Sequence, residues 1–168
     1  VFFHSSVFLG IIEKALEIYY FFFALSSDGT QVGLKLGIGL YDLDIKLIPI
    51  SIDKIGLRDK TLDDVVLEIL HQGQKELSIQ KTYSIKDATL IRDYDKPGYG
   101  VITQNEKMAI RQLAQSEGIL LDPVYSGRAF YGMIDHLQNN KIEKNSNVLF
   151  WHTGGLPATF YYAEELKD

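Results

Sequence analysis

The sequence predicts an α/β fold, a mostly parallel twisted sheet with helices on both faces. Three observations carry that reading. Stretches of strand length alternate with stretches of helical periodicity. The strand candidates are continuously apolar, as in strands covered on both sides. The 168 residues, 46% hydrophobic and 12% aromatic, are enough for a real core. No repeat or low-complexity linker divides the chain, so one α/β domain over residues 1–168 is expected.

The elements follow in order. Gly10 to Ile18 carries helix-forming Glu, Lys, Ala and Leu, and Tyr19 to Leu25 (YYFFFAL) is a buried strand ending in polar Ser26-Ser27-Asp28-Gly29-Thr30. Gln31 to Leu40 reads as a helix whose Gly33 and Gly37 permit close packing, and Ile45 to Ile52 as the next strand. Thr61 is a plausible N-cap for a helix to Leu77, with Leu62, Val65, Val66, Ile69 and Leu70 at helical spacing. A further strand is expected at Ala88 to Arg92. Helices are expected at Asn105 to Glu117 and Tyr125 to Asn139, a short strand at Asn147 to Trp151, and a closing helix at Leu156 to Leu166.

Composition removes several classes of function. There is no cysteine, hence no disulfide framework, thiolate nucleophile or Cys-based metal site, and a reducing cytoplasm is the simplest home. A net charge of -5 argues against a nucleic-acid partner, which would call for a basic patch. The aromatic-rich start (Phe2, Phe3, Phe8) is interrupted by Glu13, Lys14 and Glu17, short of the roughly 20 apolar residues that span a bilayer, so no membrane partner is expected. No metal site is expected.

In parallel sheets ligands bind beyond the carboxyl ends of the strands. Three loops qualify. Ser26 to Thr30 leads into a helix N-terminus, where free N–H groups favour a phosphate or, more simply, where Ser27 or Asp28 caps the helix. Asp122-Pro-Val-Tyr-Ser-Gly127 opens another helix. His152 to Gly155 follows a buried strand, where a lone histidine is more often structural than catalytic.

Taken together, SSDGTQVGL (26–34), GYG (98–100), GILLDPVYSGRAFYGMID (118–135) and VLFWHTGGLPATFYYAEEL (148–166) resemble, in order and spacing, the carboxyl half of the D-cysteine desulfhydrase and 1-aminocyclopropane-1-carboxylate deaminase family. These are pyridoxal-phosphate enzymes of the tryptophan-synthase-β type. The resemblance implies that Ser27, Gly29 and Thr30 hold the cofactor phosphate, and that Tyr99 and Tyr125 are the active-site tyrosines, moving protons or polarising the substrate carboxylate. It implies that Thr153, Gly154 and Gly155 form the floor beside the ring, and that Ser126 faces the pyridine nitrogen. Family deaminases have Glu at that last position and desulfhydrases Thr. A hydroxyl cannot supply the charge of a carboxylate, so Ser126 favours β-elimination over ring opening.

The family's Schiff-base lysine lies in its amino-terminal half, in a Gly-Asn-Lys context that does not occur here. None of Lys14, Lys35, Lys54, Lys96 and Lys107 is given that role. The expectation is therefore the large-domain, carboxyl-terminal half of a lyase that converts a small amino acid, D-cysteine in the first instance, to keto acid, ammonia and sulfide. A homodimer is implied for the complete protein. The deaminase is the alternative, and a fragment that is inactive or depends on a partner chain is the reading from another class.

Overall fold

The computed structural model describes residues 17–26, 28–53 and 60–167. Its centre is strand β1 (Ile18–Leu25), flanked by β2 (Lys46–Ser51) on one edge and β3 (Asn147–Trp151) on the other, both parallel to it. The order β2-β1-β3 bears out the parallel sheet. Pairing is in register from Tyr20 opposite Lys46 to Leu25 opposite Ser51, and from Tyr20 opposite Val148 to Phe23 opposite Trp151. All three strands therefore end on the same side of the molecule.

The apolar run of β1 is explained by what covers it. Side chains alternate between faces along a strand, and Phe21, Phe23 and Leu25 pack against Leu34 and Ile38 of helix α1 (Asp28–Tyr41), whereas Tyr20 and Phe22 pack against Ala129 of helix α5 (Ser126–Gln138). Phe21, Phe22 and Phe23 are fully buried. On the first face a second layer follows: Val32 and Leu36 of α1 meet Val66 and Leu70 of α2 (Leu62–Glu76). The two helices come close enough that a Cβ on Gly73 would lie 2.4 Å from Leu36 Cδ1. On the second face α4 (Gln104–Glu117) packs against α5 through Ala109, Ile110 and Phe130.

Local chemistry sets the boundaries. Thr61 caps α2 as expected, accepting from Asp64 N while the Asp64 carboxylate accepts from Thr61 N. Thr103 does the same for α4 with Glu106, and Gly118, at φ 69°, ends that helix.

Two expected elements are corrected. The strand at Ala88 to Arg92 is reduced to one parallel bridge between Ile91 and Ile50, with Ala88 ending a four-residue helix, α3 (Ile85–Ala88). Leu90 N–H is taken by Asp63 and the Arg92 guanidinium by the same carboxylate, so only Ile91 is left to pair with β2. The closing helix is also shorter, α6 (Pro157–Tyr161), and then breaks into turns. Phe160 and Tyr161 are 79% and 84% exposed, so little tertiary burial sustains a longer helix. The helix expected at Gly10 to Ile18 falls, but for its last two residues, outside the described part; of those, Ile18 begins β1.

Candidate active site

The carboxyl ends of the strands gather most of the residues singled out from the sequence. The loop at 122–127 is organised by one side chain. Asp122 is fully buried, and its Oδ2 accepts from the N–H groups of Val124 (2.9 Å) and Tyr125 (2.7 Å). Its Oδ1 accepts from Ser126 N (2.8 Å) and from the Ser126 hydroxyl (2.6 Å). The carboxylate thus satisfies the N–H groups that begin α5, where negative charge is favoured by the helix dipole. Ser126, also buried, accepts in return from Asp122 N at 2.9 Å. Its one hydroxyl proton is therefore directed at Asp122.

Gly155 packs against the same carboxylate. A Cβ there would lie 2.4 Å from Asp122 Oδ1, and its φ of 96° is one that L side chains rarely adopt. The end of β3 is locked to the start of α5 in this way. His152 supports the turn, with Nε2 bonded to Leu120 O at 3.0 Å and Nδ1 accepting from Gly154 N at 3.2 Å. Both ring nitrogens are used, which matches the structural reading of this histidine. Thr153 and Gly154 are exposed.

Tyr125, at the mouth of α5, meets Tyr99. Their hydroxyls are 2.5 Å apart and their rings pack edge to face at 5.8 Å. The hydrogen bond with Tyr99 and, next, burial push the Tyr125 phenol up to about 12; the Asp122 charge adds to this, and a hydrogen bond with the Ser26 side chain works against it. Ser26 is the last residue before the α1 loop, so the end of β1 also reaches the pair. Gly29 and Thr30 lie in the first turn of α1, and a Cβ on Gly29 would meet nothing within 4 Å. Ser27 lies outside the described residues.

Sequence reasoning passed over Arg128 and Glu106. Arg128 is completely buried in the first turn of α5, paired to Glu106 at 2.8 Å. Its Nη1 donates to the carbonyls of Ile52 and Gly98, each at 2.9 Å, and its Nη2 to that of Val101 at 2.6 Å. A signal was present: a cation in the first turn of a helix opposes the dipole. Volume alone does not find the site either. A cavity of about 540 Å³ opens beside Glu17, Tyr19 and Asp42, at the other end of β1.

Residues 4–154 match the family model described as pyridoxal-phosphate dependent enzyme. This chain belongs to that family. It is 36% identical over 154 residues to a D-cysteine desulfhydrase of Klebsiella pneumoniae (strain 342), covering 92% of this chain and 45% of the relative. It is 34% identical over 164 residues to a D-cysteine desulfhydrase of Salmonella typhi, covering 92% and 48%. A crystal structure of an ACC deaminase homologue superposes with a TM-score of 0.83 at 29% identity, over 98% of this chain and 49% of that one. The chain spans about half the length of the relatives it matches.

The described residues suit the family's cofactor. The start of the 14-residue helix α1 offers N–H groups without intrahelical partners, and the space in front of Gly29 is open, as a phosphate requires. The glycine pair 154–155, both at positive φ, lets backbone approach a planar ring, and two phenols stand at the mouth of α5. Pyridoxal phosphate supplies an electron sink for charge developing at a substrate carbon.

Proposed function

We propose that this chain contributes the phosphate cradle, ring floor and tyrosine pair of a pyridoxal-phosphate-dependent lyase that eliminates the β-substituent of a small amino acid. D-cysteine is the first substrate to test. The overall conversion takes D-cysteine and water to pyruvate, ammonia and hydrogen sulfide: the Cα–H and Cβ–S bonds break, sulfur leaves with a proton, and water releases the nitrogen. In this reading Ser27, Gly29 and Thr30 bind the phosphate, Thr153, Gly154 and Gly155 lie beside the ring, and Ser126 meets its nitrogen with a hydroxyl instead of a carboxylate, a role that requires the hydroxyl proton to turn from Asp122 Oδ1 to that nitrogen. The Schiff-base lysine is assigned to no position of this chain. A homodimer and the cytoplasm complete the reading, on the family resemblance and a sequence without cysteine.

The observation that carries the proposal is the Tyr99–Tyr125 hydrogen bond at the carboxyl ends of the strands. With its phenol held up at about 12, Tyr125 keeps its proton near neutral pH. It is not poised to act as a base. Tyr99 is 51% exposed and faces outward, so it can hand a proton to departing sulfur or hold the substrate carboxylate, with Tyr125 behind it as reserve.

The experiment is sulfide and ammonia release from D-cysteine by the complete lyase, this chain together with the half that supplies the Schiff-base lysine, loaded with pyridoxal phosphate, beside its Ser126→Glu variant. Release by the parent, with ring opening of 1-aminocyclopropane-1-carboxylate gained only by Ser126→Glu, supports elimination. Ring opening by the parent would favour the deaminase instead. The superposed ACC deaminase homologue keeps that second reading in view.

A further inference from the structure

The buried Arg128–Glu106 pair lies one turn from Tyr125 and touches neither tyrosine hydroxyl, yet it is bonded on both sides of Tyr99. The Gly98 carbonyl is immediately before Tyr99 and the Val101 carbonyl two residues after it; both accept from the one guanidinium, at 2.9 and 2.6 Å. The backbone between these points is a tight turn, with Gly98 at φ 97° and Gly100 at φ 72°, and belongs to no helix or strand. A third acceptor, Ile52 O, follows the end of β2 and ties the loop to the sheet. Glu106 holds the guanidinium through Nε, and its other oxygen caps α4 at Thr103, which closes the same loop. The arginine sits in the first turn of α5, three residues after Tyr125. A cation in that place is opposed by the helix dipole and by burial, and three hydrogen bonds to carbonyls plus a buried carboxylate offset both.

We propose that Arg128, oriented by Glu106, is the positioning residue that holds the loop at 98–101 so that the Tyr99 hydroxyl meets that of Tyr125. One turn of helix thereby fixes both members of the pair. A lysine cannot substitute, because an ammonium is a point donor and the three carbonyls and the carboxylate are reached by the fork of a guanidinium. The assignment of the pair to substrate rests on the lyase reading; the positioning itself does not.

The test needs neither substrate nor cofactor, so its outcome is separable from that of the lyase reading. Tyrosines of the intact protein are labelled at the Cζ carbon, Tyr125 is assigned with Tyr125→Phe, and its ionisation is read at about pH 11. The groups that bear on it are Tyr99, Ser26 and Asp122. In the parent about one-tenth of Tyr125 is ionised at that pH, and in Arg128→Lys a several-fold larger fraction, as the Tyr99 hydrogen bond that contributes most to the shift is lost while burial and the Asp122 charge remain. Arg128→Met with Glu106→Gln, which leaves no lone buried charge, gives the same result. Circular dichroism at the same pH establishes that each variant is folded. A folded variant with Tyr125 titrating as in the parent overturns the proposal. Should neither variant fold, the parent decides: resolved, slowly exchanging Nη protons on Arg128 support the anchor, and averaged, rapidly exchanging ones overturn it.

Discussion

At the scale of single residues, the candidate site is held together by charged groups that never face the solvent. Asp122 accepts four hydrogen bonds and has Gly155 against it. Asp122→Ala leaves the N–H groups of Val124, Tyr125 and Ser126 at the entry to α5 without their acceptor, so chemical denaturation should show a loss of about 2–4 kcal/mol. Gly155→Ala should be destabilising for two reasons, the positive φ and the clash with Asp122 Oδ1, and its melting temperature should fall accordingly. The tyrosine pair predicts a pH effect with a definite sign. The folded state raises the Tyr125 phenol from about 10 to about 12, so it retains a proton that the unfolded chain releases. That contribution to stability is intact below pH 10 and is lost as pH rises toward 12. Tyr99→Phe removes the largest cause of the shift; its alkaline unfolding should therefore depend less steeply on pH in that window than the parent's.

At the scale of elements, β1 carries the fold. Because Phe21 and Phe23 face α1 while Phe22 faces α5, removing one ring opens a void in one layer only. Phe22→Ala should cost about 3–5 kcal/mol in equilibrium unfolding. Elements like this were legible because their cause is local: an uninterrupted apolar run, a Thr-x-x-acid cap, a terminating glycine. Strand β3 was read to the residue, and the Thr61 cap of α2 as well. The strand expected at Ala88 to Arg92 and the long closing helix were not legible. What decides the first is Asp63, distant in sequence, taking the Leu90 N–H. What decides the second is that Phe160 and Tyr161 find no surface to cover them among the described residues.

At the scale of the whole molecule, three parallel strands ending on one side bring together loops that are nearly 130 residues apart along the chain, from Ser26 to Gly155. The motifs for those loops could be read from the sequence, and the resemblance gave them roles. The wiring between them could not, because nothing in the spacing of Arg128 says that its partners are the carbonyls of Ile52, Gly98 and Val101. A buried cation shows in a sequence only as a charge out of place. The central claim is that these loops serve a lyase acting on a small amino acid, and it is tested most directly by the products. The complete lyase, this chain together with the half that supplies the Schiff-base lysine, is loaded with pyridoxal phosphate and given D-cysteine, and sulfide, pyruvate and ammonia are assayed together, with Tyr99→Phe alongside. The account predicts the three products in equal amounts from the parent and a rate lower by about 100-fold or more in Tyr99→Phe, the scale of a lost proton donor. A complete, loaded lyase that releases neither sulfide nor ammonia from D-cysteine or any other small amino acid would contradict it.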